Sequence, residues 1–182
     1  MLRFRSLHPD VDGCSSLTEF LAQLPDSALS ALTIHDSNHG THRSRLNTRG
    51  AYGAWSSRAN EANNWIQVDL GSVRTVQQIA TQGRDDTGQW VTSYQLAYSL
   101  EAPDDAGSNL VYVLDGSTGN RQDFVGNTDQ QTIVYHDLTP FHARYVRLFT
   151  TGYHSHQSLR WGVFGCAQTQ GTSMHSSSKF VS

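Results

Sequence analysis

The chain has 182 residues, a formal net charge of -3, 16% charged and 37% hydrophobic residues. One hydrophobic core fits that length, and few charges beside abundant Gly, Ser, Thr, Asn and Gln mark a turn-rich β protein rather than a helical bundle. With 13 Lys and Arg against 16 Asp and Glu, the composition excludes a nucleic acid partner, since phosphate binding draws on clustered cations that release counterions.

The opening residues, MLRFRSLHPD, are basic but lack the apolar run of a signal peptide. No stretch approaches the roughly 18 apolar residues that span a bilayer, so no transmembrane segment is expected. Residues 1–13 read as an N-terminal extension. Cys14 and Cys166 stand near opposite ends of the chain without metal-ligand spacing. A disulfide is the natural reading, and it implies an oxidising, extracellular compartment. Two separate buried thiols are the alternative.

Residues 15–32 begin with Ser and Thr capping candidates, and Leu17, Phe20, Leu21 and Leu24 fall at roughly helical spacing before Pro25. One or two short helical turns are implied. From Thr33 to Tyr52 the chain is polar, rich in His and Arg and free of apolar periodicity, so it reads as long exposed loops where function would sit. In NWIQVDLG, Trp65, Gln67 and Asp69 alternate with Ile66, Val68 and Leu70, the period of a strand that Gly71 and Ser72 end. Further strands are predicted at Val76 to Gln82, Val91 to Ser99, Leu110 to Leu114, Thr132 to Asp137, Arg144 to Thr150 and Ser158 to Phe164. Their separators, such as GRDDTGQ, DGSTGNRQD and DLTPFHA, consist largely of turn formers. Seven or so short strands point to a sandwich or barrel. Residues 167–182 have no apolar pattern and read as a flexible tail.

Catalysis finds no foothold: there is no G-x-S-x-G, no H-E-x-x-H, no phosphate-cradling glycine loop and no free Cys nucleophile if the cysteines pair. The chain is read as not an enzyme, and no cofactor is expected from its motifs. Nine histidines are many for this length. HDSNHGTH places His35, His39 and His42 on an irregular loop, so the i, i+4 geometry of a helical zinc motif is not expected. Solvent-exposed loop histidines, polar ligand contacts and a zinc site on the irregular loop remain as their readings.

Taken in order, SRLN (44–47), Ala54 and Trp55, NNWIQVDLG (63–71), TQGRDDTGQWVTSYQLAYS (81–99), GNTD (126–129), ARYVRLF (143–149) and SLRWGVFGC (158–166) resemble the successive signatures of the discoidin domain, also called the coagulation factor V/VIII type C domain. LPDSAL (24–29) is similar to the segment after that family's first cysteine. The resemblance covers residues 14–166. It implies a discoidin-type jelly-roll β-sandwich, a distorted barrel, whose terminal cysteines Cys14 and Cys166 pair and whose binding loops project from the end opposite the termini. Trp65, Ile66, Val68, Leu70, Val91, Tyr94, Tyr145, Val146, Leu148 and Phe164 would form its core.

The resemblance implies an extracellular, secreted binding module. GRDDTGQWVTSY is closest to the slime-mould discoidin lectins, which points to cell adhesion through galactose-type glycans of a cell-surface or matrix glycoprotein. HRSRLN and GAW look equally like collagen-receptor and neuropilin domains, so a protein or an anionic phospholipid headgroup is the alternative partner. The ligand-binding candidates are His35, Asp36, His39, His42, Arg43, Arg49, Tyr52, Arg84, Asp85, Asp86, Tyr153, His154 and His156. A sugar needs an aromatic face and fixed donors and acceptors, and this set offers both. Arg84 and Asp86 match the R-x-D of fucose-binding relatives, but the accompanying His and trailing basic residue are absent; a local turn ion pair explains the two equally well. The loop HDSNHGTHR has no Trp, Phe, Leu or Met, which disfavours deep membrane insertion and leaves Arg43, Arg45 and Arg49 to touch headgroups. Candidate calcium ligands are Asp85, Asp86, Asn127 and Asp129, residues that turn formation also explains.

Overall fold

In the computed structural model the described residues are 16–104 and 106–166. Cys14, the extension 1–13 and the tail 167–182 lie outside them. Among the described residues there is no α-helix; nine strands pair antiparallel throughout. They are β1 (Thr18–Glu19), β2 (Leu29–Ala31), β3 (Trp55–Ser56), β4 (Trp65–Gln82), β5 (Trp90–Ser99), β6 (Val111–Tyr112), β7 (Phe124–Val125), β8 (Val134–His154) and β9 (Ser158–Cys166). The order is β1-β9-β4-β8-β5-β6, with β2 on β4, β3 on β9 and β7 on β5. The helical pattern of residues 15–32 becomes two 3-10 turns, Leu21–Gln23 and Asp26–Ala28, with Pro25 opening the second.

Two expected strand ends are bends instead. At Gly71 the backbone takes φ +76 and the Gly71 N–H donates to Asp69 Oδ1 at 2.8 Å. This conformation is easy for glycine, and it shifts the register between Asp69 and Arg74 without ending β4. The segments expected at 132–137 and 144–150 likewise merge into β8. β4 and β8 therefore run through both layers of the sandwich. Trp65–Asp69 lies between β2 and the Tyr145–Phe149 part of β8, whose other side carries β5; Thr75–Gln82 lies between the first part of β8 and β9. The sheet is not closed into a barrel.

Ile66, Val68 and Leu70 point into the core as their alternation predicts, and they meet Val91, Tyr94, Leu96, Val146 and Leu148 from one layer and Val76, Ile79, Trp161 and Val163 from the other. Burying each contributes roughly 1.5–3 kcal/mol. Trp65, expected in the core, is buried, and so is Gln67, which the alternation sets on the other face. The Arg147 guanidinium lies 3.8 Å over the Trp65 ring and donates to Gln67 Oε1 at 2.9 Å, which covers that face. Phe164, expected in the core, is half-buried on the outside, with its ring 5.9 Å from that of Tyr135. β9 runs from the loop end at Ser158 to Cys166, which stands opposite Thr75. No described helix is long and apolar enough to cross a membrane, which says nothing of β-barrels.

Candidate functional site

The loops at one end of the sandwich are tied together from beneath by polar side chains that project from strands. Arg160 on β9, fully buried, donates from Nε to the Gly83 carbonyl at 2.6 Å, from Nη1 to Thr48 at 2.8 Å and from Nη2 to Gln130 at 2.7 Å. One guanidinium thus fixes three separate loops, which its planar fork of donors allows. Burial lowers its pKa to about 10, opposed in part by Asp85. Gln82 accepts from the Asn47 N–H and donates to the Gln131 carbonyl, and Asn64 donates to Gln157 Oε1 at 2.8 Å. Gly83 has no room for a side chain, since a Cβ would stand 2.6 Å from the Asp129 carbonyl oxygen. Sequence reasoning missed Arg160; its one signal is a charge set between Leu159 and Trp161 in an otherwise apolar strand.

On this base the first loop folds into two 3-10 turns, Ser37–His39 and Thr41–Arg43. Asp36 caps the first: its Oδ1 accepts from the Asn38 N–H at 2.8 Å, the His39 N–H at 3.2 Å and the His39 ring Nδ1 at 2.7 Å. Chiefly the His39 hydrogen bond holds the Asp36 carboxyl below the usual carboxylate range. His39 is only 6% exposed. Its ring meets His35 edge-on at 5.0 Å and Tyr52 at 5.0 Å, while His35 meets His156 at 5.8 Å. His35 is pinned by its N–H to the Ser56 carbonyl at 2.8 Å, and His156 Nε2 lies 2.9 Å from the Ser57 carbonyl.

Tyr52 is 40% exposed and sits at φ 62, a left-handed conformation that costs a bulky residue energy. Its N–H donates to Asp86 Oδ2 at 3.0 Å. Asp86 is in turn clasped by Arg84 through Nε at 2.6 Å and Nη2 at 3.1 Å, and Arg84 Nη1 reaches Gln89 Oε1 at 3.0 Å. The local ion pair weighed from the sequence is present, and it also positions the aromatic residue. Chiefly through Arg84, the Asp86 pKa falls to about 2. Asp85 accepts from the Gly50 N–H at 2.9 Å, from Arg49 Nη1 at 2.9 Å and from Gln131 Nε2 at 3.0 Å, contacts that lower its pKa, Gly50 first.

The structure therefore brings together His35, Asp36, His39, Tyr52, Arg84, Asp86 and His156. Arg49 and Asp85 form a neighbouring polar network. His42 and Arg43 stand on the following turn, outside these ring contacts. Tyr153 and His154, expected in a loop, end β8, because Trp90 and Val91 of β5 pair with them. His154 stacks on Trp90 at 4.1 Å. Tyr153 borders a separate hollow of about 340 Å³ with Asn60, Asn63, Thr150 and Gln157. Two of the candidate calcium ligands have hydrogen-bond partners within the chain. Asp129 caps its own turn by accepting from the Gln131 and Thr132 N–H groups, and Asn127 donates to the Thr81 and Thr132 carbonyls. Among the described residues no metal-capable group of His, Cys, Asp or Glu includes Asp85, Asp86 or Asp129.

Residues 27–163 match the F5/8 type C domain. The chain belongs to that family. Lactadherin of Mus musculus is 34% identical over 174 residues, 91% of this chain and 36% of its own length. Retinoschisin of Takifugu rubripes is 33% identical over 162 residues, 88% of this chain and 52% of its own length. Recombinant discoidin II of Dictyostelium discoideum superposes with a TM-score of 0.73 at 28% identity, over 87% of this chain and 62% of that one. The chain thus spans between about a third and about half of the two curated relatives. This F5/8 type C domain is a binding module, its polar loops carried on a rigid sandwich.

Proposed function

We propose that this domain is an extracellular adhesion module that takes a galactose-type glycan between Tyr52, His35, His156 and the Arg84–Asp86 pair. The observation that supports it is the convergence of three separate loops on a half-exposed aromatic ring whose backbone is held in a strained conformation by Asp86. The apolar face of a sugar packs on Tyr52, and imidazole nitrogens and carboxylate oxygens meet its hydroxyls. Rigid donors and acceptors give selectivity because little ordering is left to do on binding. The proposal extends to a Cys14–Cys166 bridge, consistent with the absence of free cysteines among the described residues, and hence to an oxidising compartment. It involves no catalytic step. A glycan array followed by calorimetry tests it: galactose-terminated glycans should bind and Tyr52→Ala should lose at least tenfold. An array without any saccharide hit would refute it.

A second reading is favoured by Leu32 and Ile34, 44% and 38% exposed on either side of Thr33, with the exposed Arg58 beside them. Two apolar side chains next to a cation suit the edge of an anionic bilayer. Sedimentation with phosphatidylserine liposomes should then fall for the Leu32→Ser, Ile34→Ser pair, whereas phosphatidylcholine liposomes should bind neither form. Equal sedimentation of wild type and variant would discard this reading.

A further inference from the structure

We propose that His35, Asp36 and His39 form a site for a divalent transition-metal ion of the zinc class, independent of the glycan reading. Each residue offers one ligand atom, and those atoms lie within 4.8 Å of one another. Zinc held at about 2.0–2.1 Å in a tetrahedron sets its ligand atoms about 3.4 Å apart. Asp36 Oδ1 and the His39 Nδ1 already stand at 2.7 Å, so an ion requires only small side-chain movements.

The donor chemistry selects the metal. Two imidazole nitrogens and one carboxylate oxygen suit zinc, nickel or copper, whereas calcium takes an all-oxygen shell. Much of the ordering is already done. His39 is buried against Tyr52, Asp36 is locked by two backbone N–H groups, and the His35 backbone is bound to Ser56. The 3-10 turn replaces the α-helical spacing that zinc motifs commonly use: Asp36 caps the turn, and the cap carries His39 back over His35. His35 and Asp36 are exposed, so three protein ligands leave a fourth position open to water or to an oxygen of a bound molecule.

Isothermal titration of the chelator-treated full chain with zinc chloride, and separately with calcium chloride, provides the test. One zinc ion should bind per chain and calcium should not compete. His35→Ala, an exposed position that leaves the fold intact, and Asp36→Asn should each weaken zinc binding at least tenfold. Long-range proton–nitrogen spectra should show the His35 and His39 ring nitrogens shifting together on zinc addition. The proposal fails if the wild type binds no zinc, if His35→Ala binds it as tightly as the wild type, or if the shifted rings are His136, His142 or His154.

Discussion

Arg160→Lys separates a loop clamp from a buried charge. The guanidinium donates to three carbonyls on three loops at 2.6, 2.8 and 2.7 Å, and a lysine ammonium at that position reaches one of them. Hydrogen bonds from charged donors contribute about 1.5–3 kcal/mol each. Two lost bonds give roughly 3–6 kcal/mol, and water access to the half-buried Thr48 and Gln130 carbonyls reduces this to roughly 2–4 kcal/mol. For a domain of this size that lowers Tm by on the order of 5–15 °C. Urea unfolding measures the first quantity and calorimetry the second. Hydrogen exchange should quicken around residues 47–50, 83–86 and 130–131 more than in β8. A variant within about 0.5 kcal/mol of wild type, with unchanged exchange in those loops, would refute the clamp.

Tyr52→Gly should leave stability within about 1 kcal/mol, because relief of the left-handed strain offsets the lost contact with His39, while glycan affinity drops at least tenfold; paired melts and calorimetry check both halves. Acid should weaken the fold in a defined window. Asp86 has a folded pKa of about 2, below its ordinary 3.8, so its contribution is fully present above about pH 4 and is lost as pH falls through about 2; Asp86→Asn should flatten the stability profile across that interval. Gly83→Ala should destabilise by about 1–3 kcal/mol in urea melts, since its Cβ would press on the Asp129 and Gln130 backbone. Mass spectrometry without reductant should find the chain two hydrogens lighter than after reduction, the signature of the Cys14–Cys166 bridge.

The core strands were legible where period-2 alternation is enforced by burial on one face, as at Ile66, Val68 and Leu70. Their ends were less so. A glycine at φ +76 ends many strands, but Gly71 bends β4 from one layer into the other, a difference decided by long-range pairing with β8. Gln67 reads as an outer-face residue because nothing local announces that Arg147, 80 residues beyond it, will cover that face. Among site residues, Tyr52 and Asp86 could be named as candidates but not joined, since 34 positions separate them and their contact uses a backbone N–H with no sequence signature. The nearness of His35 and His39 was partly readable: an Asp three residues before a His is the spacing of a capped turn, which the helical template for zinc does not cover. Arg160 escaped because pattern reading assigns charges to surfaces, and only the three carbonyls above it explain one inside.

Chemical-shift mapping of the labelled domain with a galactose-terminated oligosaccharide tests the recognition surface most directly. Shifts should concentrate on His35, Tyr52, Arg84, Asp86 and His156. Shifts confined to the opposite end, around Tyr98, Val111 and His142, or a spectrum unchanged at saturating sugar, would contradict it.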